Sequence, residues 1–134
     1  MPRVFLDTFY FFALGNRHDS AHAKALAFSQ SYSGQLITTD FVLVEFADGC
    51  AGTARHRLAA VQTVGRLSDN PKVTIVPCTR QLLQEGLDLY ERRPDKCWSV
   101  TDCISFVVMQ KEGILEALTG DHHFEQAGFV ALLK

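Results

Sequence analysis

Short apolar runs alternating with longer helical patterns constrain this chain more than any other feature. Residues 3–6, 35–39, 72–77, 114–118 and 129–133 are each too short for a stable helix and are rich in Val, Ile, Leu, Phe and Thr, the composition of buried strands. Between them run helical patterns at 8–14, 21–32, 41–50, 53–67, 80–90 and 99–111, with a short one after Asp121. Strands joined through helices pair in parallel, and a parallel sheet buries both of its faces. The expected class is α/β, with a five-stranded, mainly parallel sheet covered by helices. Ligands in such sheets bind beyond the carboxyl ends of the strands, here at Asp7, at Thr38 and Thr39, and at Asp121.

Punctuation residues set the boundaries. Gly15 and Asn16 stop the first helical turn, Gly34 closes the Ala-rich second helix, and Asp69, Asn70 and Pro71 end the fourth. Asp40 is read as the cap of the helix at 41–50, and Ser99 opens the helix that Gly113 ends. Two helices each show one apolar side for packing: Leu58, Val61, Val64 and Leu67 in one, Leu82, Leu83, Gly86, Leu87 and Tyr90 in the other.

With 134 residues, 47% of them hydrophobic, the chain suits one domain over 1–134 and is short for two. Asp7 interrupts the N-terminus before any signal-peptide core could form, and no run reaches the ~18 apolar residues of a membrane span, so a cytoplasmic location is expected. Cys50, Cys78, Cys97 and Cys103 show neither C-x-x-C spacing nor a disulfide framework and are read as buried thiols. A net charge of −2 does not mark a nucleic-acid binder by itself. Two basic clusters stand out locally. Arg55, His56 and Arg57 with Arg66 read as solvated helix ends, whereas Arg92, Arg93 and Lys96, just ahead of Trp98 and Asp102, are candidates for receiving substrate phosphates.

Asp7, Glu45, Asp102 and Asp121 each fall at a strand end or in the helix that follows it. Three have a purely structural alternative: Asp7 could cap the turn starting at Thr8, Ser99 and Asp102 form a capping-box pattern, and Asp121 could cap the short helix through Phe124. Glu45 has none, because its helix, Phe41 through Ala47, is apolar almost all round and offers no Lys or Arg within a turn. A buried unpaired carboxylate costs several kcal/mol or raises its pKa, roughly, so a cation from elsewhere should lie close. One hard divalent ion shared by the four acids would meet that need.

These residues resemble the motifs of the PIN-domain ribonucleases, and more narrowly of the toxins of type II toxin-antitoxin pairs. The resemblance spans nearly the whole chain. Val4 to Thr8 is similar to the family's opening strand and first acid, Thr38 to Glu45 to its second block, Asp95 to Cys103 to its third, and Leu118 to Phe124 with Gly128 and Phe129 to its last. No one block is specific; the four in order are. The resemblance implies a three-layer α/β/α sandwich, endonucleolytic cleavage of single-stranded RNA, and Mg2+ as cofactor with Mn2+ able to substitute. It implies Asp7 and Asp102 as direct ligands, Glu45 and Asp121 holding metal-bound waters or a second ion, and Thr8 and Ser99 as supporting hydroxyls. A small antitoxin protein and homodimerisation are implied partners.

Magnesium takes one or two direct carboxylates and keeps several waters, which fits four acids in a mixed shell. Water attack on the phosphodiester would leave a 5′-phosphate and a 3′-hydroxyl. Histidines are the rival bases, but His18 and His22 four apart, and His122 and His123 beside Asp121, lack an H-E-x-x-H pattern and read as surface or loop residues. A haloacid dehalogenase-type phosphatase would need a second acid where Phe9 stands. The alternatives to a toxin are a catalytically idle module that binds RNA or protein, and a housekeeping RNA-processing nuclease without an antitoxin.

Overall fold

The computed structural model describes residues 2–134. The five strands are β1 (Arg3–Leu6), β2 (Gln35–Thr39), β3 (Val73–Val76), β4 (Glu116–Leu118) and β5 (Val130–Ala131). They form one sheet in the order β3-β2-β1-β4-β5, every pair parallel. The helices are α1 (Thr8–Gly15), α2 (His22–Ser31), α3 (Asp40–Gly49), α4 (Ala54–Asp69), α5 (Arg80–Arg92), α6 (Val100–Glu112) and α7 (His122–Gln126). Successive strand residues point to opposite faces, and Val4, Phe5 and Leu6 are all buried, as are Thr38 and Thr39, so helices cover both faces at the sheet's centre.

Register fixes what meets at the carboxyl edge. Phe5 pairs with Ile37 on one side and Ala117 on the other, and Leu6 pairs with Leu118, so β1, β2 and β4 run out together. The chain then delivers Asp7, Asp40 and the loop through Asp121 to the same edge. The buried Thr38 hydroxyl donates to the Leu6 carbonyl at 2.8 Å, satisfying a backbone acceptor where the first strand ends.

Several expectations change. The strands predicted at 72–77, 114–118 and 129–133 are shorter, at Val73–Val76, Glu116–Leu118 and Val130–Ala131, although flanking backbone still bonds across, the Lys72 and Leu115 carbonyls accepting from the Leu36 and Val130 N–H at 2.9 Å. Thr39, not Asp40, caps α3, its side chain accepting from the Val42 N–H, while Asp40 accepts from the Cys78 N–H at 3.1 Å. Helix α3 buries Val42, Leu43 and Phe46 but leaves Val44 57% exposed, so it is covered on one side only. On α4 the contact with the body comes through Ala60, Val64 and Leu67, while Leu58 and Val61 face outward at 58% and 70% exposure. Cys103 is buried as expected and Cys50 half-buried, but Cys78 and Cys97 are exposed; all four are free thiols.

Candidate active site

The four acids reach the carboxyl edge by different local routes. Asp7 occupies the N-cap position of α1, yet its side chain makes no capping bond. It accepts instead from the Thr119 hydroxyl at 2.8 Å, the residue that follows β4 as Asp7 follows β1. The capping alternative for Asp7 therefore fails. For Asp102 it is realised: Ser99 Oγ accepts from the Asp102 N–H at 3.0 Å and the Asp102 carboxylate accepts from the Ser99 N–H at 3.2 Å. That box locks Asp102 at the start of α6. Asp121 caps α7 through the His123 N–H at 2.9 Å, and its own N–H donates to Thr119 Oγ1 at 3.0 Å. Glu45, half-buried on α3, accepts from the Thr8 hydroxyl at 2.5 Å.

Electrostatics ties these groups into one cluster. Burial pushes the Asp7 carboxyl up to about 7, with the charges of Asp102 and Glu45 adding and the Thr119 hydrogen bond opposing. Burial also raises Asp102, with the Asp121 charge adding and the Ser99 backbone and His123 opposing. Among the described residues, no Lys or Arg forms a salt bridge with any of the four; the only basic partners are His122 and His123.

No three of these carboxylates converge as tightly as the group Asp121, His122 and His123, whose ligand atoms lie within 4.8 Å of one another. The acids are linked pairwise, Glu45 to Asp7, Asp7 to Asp102 and Asp102 to Asp121. Oxygen donors from separate elements, two of them with raised pKa, are the donor set of a hard divalent cation, and they fit one.

The Thr8 hydroxyl meets the Glu45 carboxylate, whereas the Ser99 hydroxyl meets the Asp102 backbone N–H and the Ser99 N–H meets the Asp102 carboxylate. The basic trio divides. Arg93 forms a two-pronged pair with Asp95 at 2.9 and 3.0 Å and lies over the Trp98 ring, 5.2 Å from its centroid. Lys96 is 4.0 Å from the same Asp95, and Arg92 is exposed at the end of α5. Two residues went unassigned in the sequence reading. Thr119 joins Asp7 to the Asp121 backbone and was identifiable only from strand register. His123, read as a surface or loop histidine, is only 19% exposed and sets Nδ1 3.1 Å from Asp102 Oδ2; its signal was the adjacency to Asp121.

A parallel sheet in this order, with an acidic cluster at its carboxyl edge, defines a class, and the chain belongs to the PIN domain family, whose sequence model matches residues 4–130. Over 127 residues it is 33% identical to VapC20, a 23S rRNA-specific endonuclease, from two strains of Mycobacterium tuberculosis, with 95% of each chain covered. The crystal structure of Mycobacterium tuberculosis VapC20, described as a sarcin-ricin loop cleaving toxin, superposes with a TM-score of 0.82 at 32% identity, covering 95% of this chain and 96% of that one.

Proposed function

We propose that the chain is a divalent-cation-dependent endoribonuclease that cuts single-stranded RNA and acts as the toxin of a toxin-antitoxin pair. The observation that carries this reading is the buried acid Asp7, held at about 7 within a cluster whose other members are also acids. A fold gains nothing by accumulating such charges unless a cation or a polyanion-processing reaction uses them. The similarity to VapC20 makes an exposed loop of 23S ribosomal RNA the first substrate to test.

Asp7 and Asp102 would hold Mg2+ or Mn2+, and Glu45 and Asp121 would complete its outer shell. A bound ion supplies positive charge for the phosphodiester's transition state and acidifies the attacking water. The chain's own groups do the rest. The Thr119 hydroxyl and the Ser99 N–H fix the Asp7 and Asp102 carboxylates, and Thr8 orients Glu45, leaving the latter's second oxygen to accept a proton from water. Arg92 and Lys96 would receive flanking phosphates, which positions RNA without reading its sequence.

For the antitoxin, the support is apolar surface. A groove of about 800 Å³ between α1, α3 and α4 is lined by Tyr10, Phe11, Phe12, Phe46 and Leu67 among others, and suits an apolar segment of a small protein partner. Val44, Leu58 and Val61 beyond it offer surface for a homodimer. No helix of the described residues is long and apolar enough to cross a membrane.

Cleavage of defined RNAs, including a 23S loop fragment, by wild type and Asp102→Asn with and without Mg2+ tests the reading. Expected are metal-dependent cuts that leave 5′-phosphate and 3′-hydroxyl ends and vanish in the variant. Ends carrying a 2′,3′-cyclic phosphate, or cutting that survives chelation, would overturn it.

A further inference from the structure

We propose that the cleft between α5 and the loop leading into α6 binds a single guanine base of the RNA beside the cut, and so selects where the chain cleaves. The inference rests on the nuclease reading above and names a specificity that reading leaves open. Positions 84, 87, 88 and 91 recur at helical spacing and form one stripe of α5, and the loop residues Arg93, Lys96 and Trp98 line the same cleft, of about 780 Å³. Pockets of roughly 300–1,000 Å³ hold small organic ligands. Leu87 and Tyr90, whose periodicity matches the packing side of α5, line this cleft and stay exposed. The buried Cys103 also contributes to its wall, next to Asp102 in the first turn of α6. An occupant therefore lies beside the turn that carries a catalytic acid.

The two walls differ in charge. The helix offers Asp88 and Glu91, and the loop offers Arg93 and Lys96. Asp88 accepts from Gln84 Nε2 at 3.0 Å, whereas Glu91 is exposed and forms no salt bridge among the described residues. Carboxylates repel phosphate, so the helix wall suits an uncharged group rich in donors, and the loop wall suits the phosphate that carries it. A nucleotide has that polarity. Among the RNA bases, only guanine sets adjacent donors, N1–H and N2–H, on its Watson–Crick edge; adenine and cytosine place an acceptor beside their donor, and uracil flanks its donor with acceptors. The two oxygens of a carboxylate accept both guanine protons and repel the acceptors of the other bases. Stacking comes from the rest of the lining. Arg93 is fixed by its two bonds to Asp95 and lies over Trp98, and the half-exposed Tyr90 adds an aromatic ring; guanidinium planes and aromatic rings are the surfaces on which proteins hold unstacked RNA bases.

Fluorescence anisotropy of labelled single-stranded RNA with the full chain in chelator, where no cutting intervenes, tests the pocket. The probes are oligouridines carrying one guanine, one adenine, or one inosine, which lacks the N2 amine. Wild type should bind the guanine probe at least about fivefold more tightly than the adenine probe, the lower end of what a bidentate base contact gives, with inosine between them. Glu91→Gln should bring the guanine-to-adenine ratio close to one. Tyr90→Ala should weaken both purine probes, and Tyr90→Phe should bind them as wild type does. Both positions are exposed, and the ratio is read within one protein, so a loss of folded protein does not imitate the effect. Equal binding of the guanine and adenine probes by wild type, or binding of neither, overturns the pocket, and a ratio that survives Glu91→Gln in full overturns the guanine assignment. In Mg2+, cuts that fall without regard to guanine sink this inference and leave the nuclease reading standing; guanine-selective binding with no cleavage does the reverse.

Discussion

Because burial, reinforced by Asp102 and Glu45, pushes the Asp7 carboxyl up to about 7, the cation-free folded protein keeps a proton there that the unfolded chain releases near pH 4. Between those values the native state binds more protons than the unfolded state, so stability must fall as pH rises, by about 1.4 kcal/mol per unit for this group alone. Urea denaturation in chelator should give a lower midpoint at pH 7 than at pH 5, added Mg2+ should restore it, and Asp7→Asn should flatten the profile while abolishing cleavage; a flat wild-type profile contradicts the assignment. Thr119 carries a separate prediction. Its fully buried hydroxyl serves both Asp7 and the Asp121 N–H, so Thr119→Val leaves buried groups unpaired at about 1–3 kcal/mol. Cleavage should drop at least about tenfold and return in Thr119→Ser, whereas equal activity in all three proteins would remove Thr119 from the site. Asp7, Asp102 and Asp121 were legible in the sequence because each stands next to a strand end or helix start that local pattern reveals, and Glu45 because it is a carboxylate within an apolar helix. Thr119 was not, because its contact with Asp7 spans 112 positions and exists only through the β1–β4 register.

Between elements, the packing of α5 on α6 turns on Gly86. A Cβ at that position would run into the Ile104 side chain and approach its backbone, so α5 lies against the helix that carries Asp102 only because nothing projects there. Gly86→Ala should destabilise the fold by roughly 1–3 kcal/mol in urea titrations, despite alanine's better helix propensity, and that loss should shrink when measured in an Ile104→Ala background. A stabilised Gly86→Ala protein would show that α5 can shift freely. The sequence placed Leu82, Leu83 and Gly86 on the inward side of their helix correctly, but Leu87 and Tyr90, assigned to the same side, are 37% and 50% exposed. It misjudged α4, where Leu58 and Val61 share the periodicity of Val64 and Leu67 yet stand in solvent. A 3.6-residue period identifies a helical face, but how much of that face is covered depends on where the helix sits against the sheet, and here only its inner edge and C-terminal half meet other elements.

Across the whole molecule, a chain of net charge −2 with acids gathered at one edge must still attract a polyanion, so the placement of its cations decides affinity. Arg93 is engaged already. Its guanidinium is held by Asp95, whose carboxyl it pulls down to about 2, and it covers the buried Trp98, which is anchored in turn to Gln126 by a 3.0 Å hydrogen bond. Its charge is paired with Asp95, and its guanidinium lies over Trp98 in the loop that leads into Ser99. Arg92 forms no salt bridge among the described residues, and Lys96 touches Asp95 only at the 4.0 Å limit, so these two can turn toward phosphate at little cost. Each contact to single-stranded RNA contributes about 0.7 to the slope of log affinity against log salt. Lys96→Ala and Arg92→Ala should each lower that slope by about this amount and weaken binding of every RNA alike, with the cut position unchanged. Arg93→Ala should leave the slope nearly unaltered and instead lower thermal stability through the loss of its Trp98 and Asp95 contacts. Filter binding of a non-cleavable RNA across a salt series, with melting curves of the same proteins, separates the two behaviours, and a slope unchanged in both Lys96→Ala and Arg92→Ala would move the RNA path to another face.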